Sequence, residues 1–190
     1  AGAGPGWEVP AAELARRADL RGLRIFSIDP PTARDLDDAL SVEPLPGAEG
    51  LFRVGVHIAD VAFFVRPETA VDKEAEYRAT SVYLTGHVIP MLPRLLCEQL
   101  CSLNPRADRL AFSCFFLMDA RGRVVEPERA WMGKSVIRSC AKLDYGTAQQ
   151  MIDCARVLDD RSEAIGPEDL QAAVAAGARQ RQRRRPRSER

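Results

Sequence analysis

The sequence predicts an α/β protein of the α+β kind, with a mixed, largely antiparallel sheet flanked by helices, and three observations carry that expectation. Apolar residues alternate at Phe52, Val54, Val56 and Ile58, with Arg53, Gly55 and His57 between them, which is the period of a strand with one apolar face. A nearly unbroken apolar run over 110–118 predicts a second strand, buried on both faces. Stretches with helical composition or spacing, 71–80, 93–103 and 144–155, fall between and after these strands. The 190 residues are 46% hydrophobic, enough for one domain with a sizeable core, and no apolar stretch reaches the length that spans a bilayer.

Taken in order, residues 1–24 read as a leading linker, with a short helix over 11–17 and a turn at Arg21-Gly22. The opening AGAGPG has no charged leader followed by an apolar segment, so no signal peptide is expected, and the missing initial Met suggests a fragment or a processed chain. Ile25-Phe26-Ser27-Ile28 reads as a strand that delivers Asp29 at its end, where Pro30 and Pro31 stop it. A second strand follows at Leu40-Ser41-Val42-Glu43, and Pro44, Pro46 and Gly47 turn the chain towards the alternating strand. A meander of these three would place Asp29 and His57 on one region of sheet. His57 is either a hydrogen-bonded structural residue, the favoured reading, or a contact to substrate or metal. Asp60 is expected to cap the next turn rather than to catalyse.

The stretch 71–80 carries its acidic residues early and an arginine late, in agreement with the helix dipole. Ser81-Val82-Tyr83-Leu84 is extended and Gly86 breaks it. Pro93 suits the first turn of a helix running to Leu103, with Leu96, Leu100 and Leu103 as its apolar stripe, and Asn104-Pro105 stops it. Asp119-Ala120-Arg121-Gly122 predicts a hairpin, and a further strand passes through Val136-Ile137-Arg138. Asp144 can cap a helix bearing Ala148, Met151, Ile152 and Ala155; residues 161–178 form a final helical segment, and 179–190 an Arg-rich, disordered tail.

The chain is neutral, but 179–190 holds seven Arg and one Glu, leaving 20 basic and 26 acidic residues elsewhere, a balance of minus six. On charge alone the body is a poor RNA binder, whereas the tail could bind phosphates, serve as a nuclear-localisation-like run, or simply be solvated. The five cysteines are odd in number and lack a CxxC pair; Cys97 and Cys101, four apart on the expected helix, suit packing better than zinc, and reduced thiols fit the cytosol.

The densest chemistry lies in IFSIDPPTARDLDDAL, where Asp29, Asp35, Asp37 and Asp38 crowd one short stretch. A solvated acidic loop is one reading of such a run. Its apolar flanks, however, anchor it in a core, and four converging carboxylates require neutralisation, for which hard divalent cations are the usual means. A calcium loop would need a glycine at the sharp turn and a closing glutamate, and neither is present. Magnesium is the working expectation.

The pattern Asp-x5-Asp-x-Asp-Asp, with Ile28 before it and Ala39-Leu40 after it, resembles the signature of the RNB family of exoribonucleases, the ribonuclease II and ribonuclease R type. Val56-His57-Ile58-Ala59-Asp60-Val61, Tyr83-Leu84, Ile89-Pro90-Met91-Leu92-Pro93 and Leu100-Cys101-Ser102-Leu103-Asn104 follow in register. RATSVYL, VIPMLPRLLCEQLCSLNP and VIRSCAKLDY are most similar to the eukaryotic, exosome-independent cytoplasmic branch that acts on uridylated RNA. The resemblance covers about 7–152 and implies 25–160 as the N-terminal part of an incomplete RNB catalytic domain, lacking the second half that supplies an arginine and a second aromatic clamp. It implies Asp29, Asp35, Asp37 and Asp38 around Mg2+ or Mn2+, with Asp35 and Asp37 catalytic and Asp37 the most sensitive, and Tyr83 stacking on a base. It further implies processive 3′-to-5′ hydrolysis of single-stranded RNA by a cytoplasmic protein, taken as a monomer without obligate protein partner or membrane. The alternative is a truncated, weak or inactive fragment that binds RNA without cutting it.

Overall fold

Pro10 opens a short helix, α1 (Ala11–Arg16), and the chain enters the sheet at once through β1 (Ala18–Asp19). In this computed structural model, which describes residues 7–159, β2 (Ile25–Asp29), β3 (Asp38–Pro44) and β4 (Leu51–Ala59) follow as the expected antiparallel meander. Next come α2 (Val61–Phe64), α3 (Ala70–Arg78) and the small hairpin of β5 (Val82–Leu84) and β6 (His87–Ile89). Thr69 caps α3 by accepting from Asp72 N–H at 3.3 Å. Long β7 (Asp108–Asp119) turns through Gly122 at φ 76° into β8 (Val124–Val125), and β9 (Trp131–Arg138) and β10 (Ala141–Asp144) complete the strands. Strand order is β1-β9-β7-β4-β3-β2-β10, with β8 beside β7; β1 runs parallel to β9, and the β2/β3, β3/β4, β4/β7 and β7/β9 pairs are antiparallel. The fold is thus the mixed, mostly antiparallel α+β sheet that the sequence predicts. The stretch read as a leading linker holds α1 and β1.

Two compact units divide the chain, residues 1–142 and 143–190. In the second, α4 (Tyr145–Asp159) begins where Asp144 accepts from Thr147 N–H at 2.9 Å and Thr147 Oγ1 at 2.6 Å, the expected cap. The segments 161–178 and 179–190 lie outside the described residues. Among the described residues no helix is long and apolar enough to cross a membrane.

One face of the sheet buries Ile25, Ala39, Ala59, Ala111 and Ile137 against Leu36, Cys101 and Leu103. The other is covered around Leu110 and Val136 by Val9, with Trp7, Leu14 and Phe63. This arrangement reverses the orientation that alternation suggests for β4. Its buried residues are Gly55, His57 and Ala59, while Ile58 is 46% exposed and Phe112, opposite it on β7, is 45% exposed. β7 is therefore not buried on both faces. The buried face must admit closely packed chain, and it does so with small or hydrogen-bonded residues. A Cβ on Gly55 would lie 2.4 Å from Ser41 Oγ and 2.7 Å from the Phe115 ring.

His57 takes the structural role. Its ring nitrogens bond to Ser41 Oγ at 3.0 Å and Ser113 Oγ at 2.7 Å, and Ser113 continues to Ser135 at 2.6 Å, so the chain of bonds crosses β3, β4, β7 and β9. Burial pushes the imidazole down to about 4. Asp60 occupies the N-cap position of α2 but its side chain makes no cap bond. Instead its carboxylate lies 2.7 Å from the Arg17 guanidinium, whose Nε donates to Glu13 at 2.7 Å, so a buried ion triad ties α1 to the end of β4. The helix expected from Pro93 to Leu103 is a π-helical turn at Leu95–Leu100. It stops early because Leu103 N–H is engaged elsewhere, as the site shows.

Candidate active site at the aspartate loop

β2 ends at Asp29 and β3 begins at Asp38, so the loop between them must cross from one strand to its antiparallel neighbour. Pro30 and Pro31 keep it out of the ladder, and Ala33 N–H donates to Pro30 O at 3.0 Å to close a turn. Leu36 then plunges into the core beside Ile25 and Leu103, and its neighbours Asp35 and Asp37 are left half-buried and exposed respectively. The loop is pinned along its length. Ser102 Oγ donates to Arg34 O at 2.9 Å and accepts from Leu36 N–H at 3.0 Å; Leu103 N–H donates to Leu36 O at 2.8 Å. Ala59 N–H donates to Asp37 O at 2.9 Å, and Lys142 Nζ donates to Ala33 O.

These anchors hold the four aspartates at one end of the meander, near enough for Asp35, Asp38 and Asp29 to act electrostatically on Asp37. Asp29 is half-buried, and its Oδ2 is buried without a hydrogen-bond partner. Asp37 is open to water yet closely surrounded by protein; that loss of solvation, and then Asp35, Asp38 and Asp29, push its carboxyl above the usual range. Tyr83, carried on β5 and 67% exposed, donates its hydroxyl to Asp35 Oδ2 at 3.0 Å, and this bond is the main cause of its raised pKa. A cavity of about 610 Å³ opens between the loop, the β5–β6 hairpin and the π-helical turn, lined by Arg34, Asp35, Tyr83, His87, Arg94 and Cys97 among others. Arg94 is paired with Glu98 at its wall.

The structure thus brings Tyr83 to Asp35, a contact that spacing alone did not suggest, and gives Ser102 and Lys142 anchoring parts that sequence reasoning missed. Ser102 was visible as a member of the LCSLN run, but its bonds reach across 66 and 68 residues, beyond any local pattern. Among the described residues no three carboxylate, imidazole or thiolate side chains converge into a metal cage. Magnesium is ordinarily held through one or two carboxylates, with water and substrate phosphate completing its octahedron. An all-oxygen donor set containing an unpaired buried oxygen on Asp29 fits that open kind of site.

The RNB domain matches residues 17–189. DIS3-like exonuclease 2 of Arabidopsis thaliana is 58% identical over 147 residues, covering 77% of this chain and 14% of that protein. A second protein of the same plant, named inactive exonuclease DIS3L2, shows the same identity and coverage. Among solved structures, Mycoplasma genitalium RNase R in complex with ribose methylated single-stranded RNA superposes with a TM-score of 0.69 at 30% identity, covering 94% of this chain and 27% of that one. The chain therefore spans only 14% of the length of the first of these relatives. A match that runs through the sheet, the loop and all four aspartates settles its kinship: the chain belongs to the RNB family.

Proposed function

We propose that the protein containing this chain hydrolyses single-stranded RNA from the 3′ end to nucleoside 5′-monophosphates, and that the aspartate loop is its Mg2+- or Mn2+-dependent centre. The observation that carries this reading is the crowding of Asp29, Asp35, Asp37 and Asp38 on one pinned loop of an RNB chain, with Asp37 held above the usual carboxylate range. Asp29 and Asp38 close the ends of neighbouring strands and are the residues to hold the cation, with Asp35 and Asp37 completing the arrangement of ligands and water. A divalent cation there would neutralise the scissile phosphate and lower the pKa of water. Asp37 holds a proton more readily than an isolated aspartate and would release it as positive charge arrives. Tyr83 offers an exposed ring beside the cavity on which a terminal base can stack, a sequence-tolerant way to hold a single strand.

The finer reading is uridylated RNA as substrate in the cytoplasm, with the protein acting as a monomer, and it rests on the likeness of RATSVYL and VIPMLPRLLCEQLCSLNP to that branch of the family. Competition among oligouridine, oligocytidine and oligodeoxyuridine tests it: oligouridine should be consumed first and the DNA spared, whereas equal consumption of all three overturns it.

A second reading, RNA binding without cleavage, is favoured by the 58% identical relative named inactive and by the small share of its relatives that the chain spans. Salt-sensitive binding without any product would support it.

A further inference from the structure

Ser102 lies in the LCSLN run, and the chemistry proposed above leaves it unused. Its side chain has no access to solvent, and its single oxygen makes two hydrogen bonds to one short stretch of chain. It donates to Arg34 O at 2.9 Å and accepts from Leu36 N–H at 3.0 Å. Those groups belong to the two peptide units that flank the Asp35 Cα. Each unit is planar, so an oxygen bonded to both restricts φ and ψ of Asp35 and little else. The serine is itself fixed, because Arg109 Nε donates to its carbonyl at 2.9 Å and Leu103 N–H holds Leu36 O at 2.8 Å. From the other end, the Tyr83 hydroxyl holds the Asp35 carboxylate at 3.0 Å. A hydroxyl is the small side-chain group that donates and accepts at once, and a site closed to solvent offers no water to replace it.

We propose that Ser102 is a positioning residue for Asp35: its hydroxyl sets the backbone of that aspartate and thereby places the carboxylate for cation binding. The first half of the statement stands on these contacts, and the second rests on the reading of the aspartates given under Proposed function. Outer partners that orient ligands change metal affinity by roughly 10–100-fold when removed, so an effect of that size is expected.

The test uses the 190-residue chain with Ser102→Ala, with Ser102→Thr, which keeps the hydroxyl, and with Ile137→Val, which thins the same core from β9 and leaves the Ser102 hydroxyl and its bonds to the loop in place. Amide hydrogen exchange resolved by NMR reads the loop, and electron paramagnetic resonance of free Mn2+ reads cation uptake. Ser102→Ala should speed exchange at Leu36 by about tenfold or more while β4 amides keep their rates, and should weaken Mn2+ binding by about tenfold. Ser102→Thr should recover both in part. Ile137→Val should lower the melting temperature and move neither. Unchanged exchange at Leu36, unchanged Mn2+ affinity in a chain whose parent binds Mn2+, or an equal loss in Ile137→Val overturns the proposal. A parent chain that takes up no more Mn2+ than Asp37→Asn overturns the metal reading instead, and exchange at Leu36 then decides whether Ser102 positions Asp35.

Discussion

Asp37 and His57 are both displaced from their ordinary ionisation, and the displacements act on stability with opposite signs. Loss of solvation, and then Asp35, Asp38 and Asp29, raise the Asp37 carboxyl above its ordinary 3.8, so over the interval the native chain binds the proton that the unfolded chain has released. Stability is therefore withdrawn as pH rises through that interval. Asp37→Asn should raise the melting temperature of the cation-free chain by roughly 1–3 °C near neutral pH and abolish any rise given by Mg2+, as calorimetry in EDTA and in Mg2+ would show. For His57 burial lowers the value from 6.5 to about 4, so between these limits the unfolded chain binds the proton and the native chain does not. Stability is complete above about 6.5 and falls as pH drops towards 4, by up to about 3 kcal/mol. Urea midpoints measured across that range should show the slope, and His57→Asn should flatten it. At this scale the sequence was most informative where chemistry is local: spacing alone located the four aspartates. It marked Ser102 and Lys142 only as members of the runs LCSLN and VIRSCAKLDY and gave neither a role, because their roles lie in contacts 66 to 109 residues along the chain.

Strands were easier to find than to orient. β2, β3, β4, β7 and β9 each announce themselves through apolar composition, proline stops or alternation, and α3 through its charge order. The orientation of β4 was misleading because an apolar stripe normally faces the core, whereas here the core accepts Gly55, His57 and Ala59. Close packing is the reason, and it can be probed. Gly55→Ala forces a methyl against Ser41 Oγ, the Phe115 ring and His57 Nε2, and should cost about 1–3 kcal/mol in chemical denaturation. The helix after Pro93 was overextended for a related reason: Leu103 N–H pairs with the aspartate loop rather than with the preceding turn. The β5–β6 hairpin carries Tyr83, whose hydroxyl bonds Asp35 and whose exposed ring is proposed to stack on RNA, two parts that substitution can separate. Tyr83→Phe keeps the stacking face and loses the bond to Asp35, so RNA affinity by fluorescence anisotropy should stay within about threefold, while Tyr83→Ala should lose about tenfold.

Across the molecule, the described residues leave one sheet face partly open, with Ile58, Phe112 and Met132 exposed beyond the cover given by Val9 and Phe63. An apolar face of that kind favours association. Phe112→Lys should reduce self-association in sedimentation experiments and change stability by less than about 1 kcal/mol. Composition gave no hint of this, because hydrophobic content counts residues without saying which are covered. The family and the fold class were legible because the acidic signature and the strand pattern are both contiguous in sequence; how the loop is held was not. We propose that this loop is a cation-dependent centre for RNA hydrolysis. Its most direct test is the product ladder of 5′-labelled oligouridine incubated with the chain, in Mg2+ and in EDTA, beside Asp37→Asn. Shortening from the 3′ end that requires Mg2+ and disappears in Asp37→Asn is the expected result. A folded chain that binds the RNA without shortening it, or an Asp37→Asn chain that shortens it at the parental rate, would contradict the claim.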